Sequence, residues 1–175
     1  MLTIDYYAEK CRQFIIENLM DDYGKSEDHN RYIRNMFYGH ISYSKTVNTG
    51  WISNEAYNTR PKRATLDHFI TPRLMISALI ETRPDILHNK NEFKNIFELC
   101  TSVVGVTSKE NNNLRYERED GKIVIKECTE KKYNKLGTWW VLKNRKVVAS
   151  SKNFPLLEKI PTWFLDWEKK LTVKI

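Results

Sequence analysis

The dipeptide Asp67-His68 combines two side chains that hydrolytic chemistry uses at neutral pH. A carboxylate is a hard oxygen ligand for a divalent ion such as Mg²⁺, and a neutral imidazole is the natural base near pH 7. Residues 64–69 predict a short strand, in which neighbouring side chains point to opposite faces. We expect this alternation to relax at the strand end, so that both side chains reach one site. The dipeptide therefore indicates a site where water loses a proton beside a metal ion.

A second candidate metal ligand, Asn111, follows the segment Thr107-Ser108-Lys109-Glu110. That segment fits a capping box, with Thr107 as the N-cap and Glu110 at the third helical position. It predicts a helix from 108 to about 115, with Asn111 at the end of the first turn. Glu110 is a competing ligand, but the capping box gives it a structural role, which favours Asn111.

The candidate site has two halves, Asp67-His68 and Asn111, and the elements between them must bring them together. Thr71-Pro72 suits an N-cap followed by the first helical residue, and predicts a helix over 72–83. Residues 91–100 predict another helix, and the β-branched stretch 101–106 predicts a strand. The two candidate halves would then lie at the ends of two strands that are separated by helices.

The rest of the chain predicts helices at both ends and hairpins near the C-terminus. Residues 42–63 lack periodicity and predict a loop or ragged strands. The other predicted elements are a helix over 5–20, a helix capped by Ser26, hairpins pairing 114–118 with 122–126 and 138–142 with 146–149, and a helix over 163–170.

Composition favours a folded protein with a polyanionic partner. The length of 175 residues suits one domain, or one domain with a small appendage, and with 41% hydrophobic and 12% aromatic residues the chain should fold. The net charge of +7 favours nucleic acid first. Candidate phosphate contacts lie just before Asp67, a few residues after it, and on the second predicted hairpin. Each of these basic residues is also compatible with a solvated surface charge. They are Arg60, Lys62, Arg63, Arg73, Lys143, Arg145 and Lys146.

Cysteine usage and hydropathy predict a cytoplasmic protein. The three cysteines contain no CxxC pair, so we expect neither structural zinc nor a disulfide framework. Asp5, Glu9 and Lys10 stand where a signal peptide needs an apolar core. No apolar run approaches the ~20 residues of a membrane helix, and we expect no membrane partner.

The two motifs together resemble a known family. Acid-His-x-x-x-Pro-Arg at 67–73, followed by Val-Thr-x-x-Glu-Asn-x-x-Leu at 106–114, is similar to HNH endonucleases of the ββα-metal fold, especially the freestanding homing-type enzymes of bacteriophages. The resemblance covers about residues 63–115. The spacing between its halves is longer than in compact members, and we attribute this to inserted helices.

The resemblance implies a metal-dependent endonuclease acting on double-stranded DNA in the host cytoplasm. It implies Asp67 and Asn111 as ligands of one divalent ion, Mg²⁺ first and Mn²⁺ second, and His68 as general base. The asparagine that orients the histidine has two candidates, Asn95 and Asn91, of which Asn95 is preferred. The implied fold is α+β, with a ββα-metal core, inserted helices, an N-terminal helical segment and a β-rich C-terminal region.

The chain is therefore expected to have three segments that form one compact unit. They are an N-terminal helical region over 1–62, the nuclease core over 63–115 and a DNA-contacting region over 116–175.

A second hypothesis is a non-enzymatic basic protein that binds DNA or serves host takeover by a phage. A nuclease of the PD-(D/E)xK kind ranks last, because Glu92-Phe93-Lys94 is too close to Pro84-Asp85 and lies on a helix-like segment.

Overall fold

A computed structural model describes residues 3–19, 26–59, 64–111, 116–119, 122–125, 127–144 and 146–172. The elements in chain order are α1 (Ile4–Leu19), α2 (Glu27–Tyr43), β1 (Val47–Ser53), α3 (Asn54–Thr59), β2 (Thr65–His68), α4 (Pro72–Thr82), a 3₁₀ helix (Pro84–His88), α5 (Lys90–Thr101), β3 (Ser102–Val106), α6 (Ser108–Asn111), β4 (Tyr116–Glu119), β5 (Lys122–Ile125), α7 (Thr129–Asn134), β6 (Trp139–Lys143), β7 (Lys146–Ser151), a second 3₁₀ helix (Leu157–Lys159) and α8 (Thr162–Leu171).

The chain folds into two compact units whose boundaries differ from those of the three expected segments. The helical unit joins Met1–Val47 to Ile70–Ser102, and the sheet unit joins Asn48–Phe69 to Val103–Ile175. The helices between the two candidate halves therefore group with the N-terminal helices. Together the units have a mixed α+β composition.

The helical unit is held together by apolar helix faces. The Phe37 ring of α2 meets the rings of Phe93 and Phe97 on α5 edge-on, at centroid distances of 6.4 and 6.0 Å. Burial raises the pKa of the Cys11 and Cys100 thiols, so both behave as apolar core residues.

The start signals of two helices in this unit are confirmed. Ser26 caps α2, because its hydroxyl accepts a hydrogen bond from the His29 amide at 3.1 Å. Thr71 is the N-cap of α4, and Pro72 is its first residue.

The sheet unit contains a five-stranded sheet with the order β2-β3-β1-β6-β7. β2 pairs antiparallel with β3, opposing Asp67 to Val104 and His68 to Val103. β6 pairs antiparallel with both β1 and β7. A separate two-stranded sheet pairs β4 with β5. The predicted strands at 64–69 and 101–106 and both predicted hairpins are thus confirmed.

The expectation of a loop or ragged strands over 42–63 is wrong for much of that stretch. Val47–Ser53 forms the middle strand of the five-stranded sheet, and the helix α3 follows it directly. Val47, Thr49, Trp51 and Ile52 suit a strand, whereas Asn48 and Gly50 do not, and pairing from both sides stabilises β1 as a whole. Thr49 adds a hydrogen bond from its hydroxyl to the Val103 carbonyl at 2.9 Å. Residues 60–63 lie outside the described part of the chain.

The helices α6 and α8 agree with prediction as far as they are described, whereas α3 and α7 were not predicted. α8 corresponds to the helix expected over 163–170. α6 begins where the capping box places it and is described to Asn111, while 112–115 lie outside the described residues. In the described ranges, no helix combines the length and apolar character required to span a bilayer.

Candidate functional site

Asp67, near the end of β2, is held by two donors from α7. Its Oδ2 accepts a hydrogen bond from Lys132 Nζ at 2.6 Å and from the Tyr133 hydroxyl at 2.7 Å. The Tyr133 hydroxyl also lies 3.3 Å from the His68 carbonyl oxygen. The Asp67 side chain is 13% exposed and that of Lys132 is 0% exposed. The candidate metal ligand is therefore part of a largely buried ion pair.

The short helix α7 is fixed by contacts on two sides. The Glu168 carboxylate on α8 accepts hydrogen bonds from the Thr129 amide at 3.0 Å and from its hydroxyl at 2.8 Å. The Tyr133 ring stacks on Phe154 at 4.5 Å and packs against Trp139 at 5.9 Å. Since a helix of this length is not stable by itself, these contacts determine where Lys132 and Tyr133 lie.

The start of α6 is held by the predicted capping box. The Thr107 amide donates to Glu110 Oε2 at 2.7 Å, and the Glu110 amide donates to Thr107 Oγ1 at 3.1 Å. The Ser53 hydroxyl donates to the same Glu110 oxygen at 2.8 Å. Glu110 is buried. Its structural role is confirmed, and the predicted second ligand, Asn111, is half-buried at the end of α6.

The helix α6 is joined to the strand that carries Asp67. The hydroxyls of Thr65 on β2 and Ser108 on α6 lie 3.2 Å apart. Thr65 opposes Val106, the last residue of β3, and α6 starts two residues later. Asp67, His68 and Asn111 thus belong to one compact unit, with the order strand, strand, helix.

His68 lies on the other face of β2. The pairing with β3 runs through His68, so the expected relaxation of the alternation does not occur within the strand. The His68 side chain is half-buried, and its Nδ1 atom is fully buried. By the same alternation it shares its face with the exposed Leu66.

Leu66 lines a half-open cleft of about 380 Å³. β1, β2, β3 and β6 all contribute to its walls, including Asn48, Trp51 and Gly105. On β2 the cleft is lined by Leu66, which shares its strand face with His68, whereas His68 itself is not among the lining residues.

The oxygen donors of Asp67 and Asn111 suit a hard cation. Mg²⁺ is often held by one or two carboxylates and completes its shell with water and substrate phosphate. Across the described ranges, no three His, Cys, Asp or Glu side chains are grouped to hold a metal. A cation bound at Asp67 would have to share the carboxylate with the buried ammonium of Lys132.

The other predicted site residues belong to other elements of the fold or are outside the described residues. Asn95 and Asn91 are exposed on α5, in the helical unit. Arg73 is in the same unit, where its guanidinium lies 4.7 Å from the Tyr38 ring centroid. Lys143 and Lys146 are exposed and oppose each other where β6 meets β7. The predicted contacts not described are Arg60, Lys62, Arg63 and Arg145.

Lys132 and Tyr133 were not predicted as site residues. They belong to a run of charged and polar residues, Thr129–Asn134, whose sequence indicates a solvated segment. One signal was present: a tyrosine and a tryptophan, Tyr133 and Trp139, flank a glycine turn. Only the folded chain brings α7 to β2, 65 residues away in sequence.

Comparison of the chain with protein-family models, with curated proteins and with solved structures gives no match.

Proposed function

We propose that this protein is a metal-dependent DNA endonuclease of the HNH kind, resembling the homing-type enzymes of bacteriophages. One observation supports this most. Asp67-His68 ends a strand that pairs antiparallel with β3, and α6 follows β3 at once with Asn111 at its end. The two motifs of the resemblance are far apart in sequence, yet they lie in one unit with the element order that the family fold requires.

In this proposal, His68 accepts the proton from the water that attacks the scissile phosphate. Because His68 and Asp67 point to opposite faces of β2, this role requires the end of the strand to open so that the imidazole reaches the Asp67 side. Asp67 and Asn111 would hold one Mg²⁺, or Mn²⁺ in its place. When bound, that ion stabilises negative charge on the phosphate and the leaving oxygen. Lys143 and Lys146 contact DNA phosphates and fix the strand's register without reading its sequence.

A second candidate function, DNA binding without catalysis, is favoured by the pairing of Asp67 with Lys132. A buried ion pair is a common structural use of an aspartate, and here it engages the proposed metal ligand. In this alternative, the net charge of +7 serves DNA binding, and Asp67-His68 has only a structural role at the end of β2.

A plasmid-nicking assay separates the two functions. The wild-type protein is incubated with supercoiled plasmid and Mg²⁺, Mn²⁺ or EDTA, beside His68→Ala and the matched variant His88→Ala, whose histidine is exposed in the helical unit. We expect metal-dependent nicking that falls about 10²–10⁴-fold in His68→Ala, with DNA binding retained and His88→Ala unaffected. Full activity in His68→Ala would contradict the proposal, and DNA binding without nicking by the wild type would support the alternative.

A further inference from the structure

A fully buried lysine beside a proposed metal ligand needs an explanation, because burying an ammonium group is costly unless it is paired and hydrogen-bonded. Lys132 is paired with Asp67, and its Nζ lies 4.8 Å from the centroid of the Tyr133 ring. We infer that Lys132 and Tyr133 are positioning residues, which hold the Asp67 carboxylate in the orientation that a metal ion requires. This inference rests on the proposed function.

The first step is the convergence of both donors on one oxygen. Lys132 Nζ and the Tyr133 hydroxyl both donate to Oδ2 of Asp67. A carboxylate that receives two donors at one oxygen is restricted in the rotation that would otherwise let it swing. Groups that hydrogen-bond to a metal ligand commonly orient it, and their loss costs about 10–100-fold in metal affinity or activity.

The second step is the rigidity of the donors themselves. The Tyr133 ring is enclosed by Phe154 and Trp139, and the Trp139 indole N–H lies 3.4 Å from the Tyr133 carbonyl. Glu168 fixes the first residue of α7. The anchor of Asp67 thus belongs to the core of the sheet unit, and a core anchor limits movement more than a flexible surface side chain does.

The two donors to Asp67 differ in charge. Lys132 brings a positive charge, so removing it changes both the charge and the orientation of the site. The Tyr133 hydroxyl is neutral, so its removal changes orientation with little change in charge. Tyr133→Phe is therefore the variant that isolates positioning, while the ring and its stacking on Phe154 remain.

The test is isothermal titration of Mn²⁺ into the full chain without DNA. Tyr133→Phe is compared with the wild type, with Asp67→Asn, and with Tyr57→Phe, a half-buried tyrosine of the same unit that stacks on Trp140. We expect Tyr133→Phe to weaken Mn²⁺ binding by about 10-fold or more, Asp67→Asn to abolish it, and Tyr57→Phe to leave it unchanged. Thermal melts verify that each variant is folded at the titration temperature.

The titration distinguishes failure of the positioning role from failure of the proposed function. If folded Tyr133→Phe binds Mn²⁺ as tightly as the wild type, the positioning role is overturned and the proposed nuclease stands. If the wild type itself binds no Mn²⁺ and nicks no plasmid, the proposed function is overturned and the inference with it. Lys132→Met beside Lys131→Met, the exposed neighbour on α7, extends the comparison to the charged donor.

Discussion

Lys132 donates to Oδ2 of Asp67 over 2.6 Å, and the two residues are 65 positions apart in the chain. This ion pair joins α7 to the end of β2. Attraction alone seldom repays the desolvation of two buried charges, and further hydrogen bonds are needed. The Tyr133 hydroxyl supplies one to Asp67, and the ring of the same tyrosine lies beside the ammonium. The pair and the tyrosine therefore form one interdependent group.

Breaking this pair from one side should destabilise the protein strongly. In Lys132→Met the side chain keeps its length and apolar stem, but the Asp67 carboxylate loses its counter-charge. We expect the free energy of unfolding to fall by about 3–5 kcal/mol, the usual cost of an uncompensated buried charge. Urea denaturation followed by circular dichroism measures it.

The matched comparison for that prediction removes both charges. Asp67→Asn combined with Lys132→Met should regain much of the lost stability, because no unpaired charge stays buried. A double variant as unstable as Lys132→Met would show that the lysine acts through packing and not through its pairing with Asp67.

Local signals in the sequence predicted many elements correctly. Ser26 and Thr71-Pro72 mark helix starts through short-range preferences, and the capping box at Thr107 marks α6 in the same way. These signals act within a few residues, so they can be interpreted before the fold is known. The adjacency of Asp67 and His68 is equally local.

Long-range features could not be predicted. β1 is a strand because β6 pairs with it and because it lies in the middle of the sheet, although Asn48 and Gly50 have little strand preference. Lys132 belongs to the candidate site only because α7 packs beside β2. A lysine in a polar run is normally solvated, and its sequence neighbours give no sign of a buried carboxylate.

Substitutions of Glu110 and Asn111 should have different effects: the first should lower stability, and the second should lower nicking activity. Glu110→Ala removes the acceptor for both the Thr107 amide and the Ser53 hydroxyl. We expect a loss of about 1–3 kcal/mol in unfolding free energy, since buried donors are left unsatisfied. Asn111→Ala should lose metal-dependent nicking while its melting temperature stays near that of the wild type.

Lys109→Ala is the control for both substitutions, because Lys109 is exposed on the same helix turn. It should change neither stability nor nicking. If Asn111→Ala nicks plasmid at the wild-type rate while Glu110→Gln, which retains the side-chain size, does not, the roles of the two residues are reversed.

The end of the β6–β7 hairpin should contribute phosphate contacts to DNA binding. Lys143 and Lys146 oppose each other there, and both are exposed. Each phosphate that a lysine neutralises releases counterions, which contributes about 0.9 to the slope of log affinity against log salt concentration. Lys143→Ala combined with Lys146→Ala should therefore lower that slope by about 2, and should weaken binding to unrelated duplexes equally. Fluorescence anisotropy over a salt series measures both quantities. The control must remove the same number of positive charges from other elements of the same unit. Lys159→Ala combined with Lys169→Ala does so on the second 3₁₀ helix and on α8, where Lys169 is paired with Glu130 at 3.2 Å. An unchanged slope in the hairpin variant, or an equal decrease in the control, would show that the DNA lies on another surface.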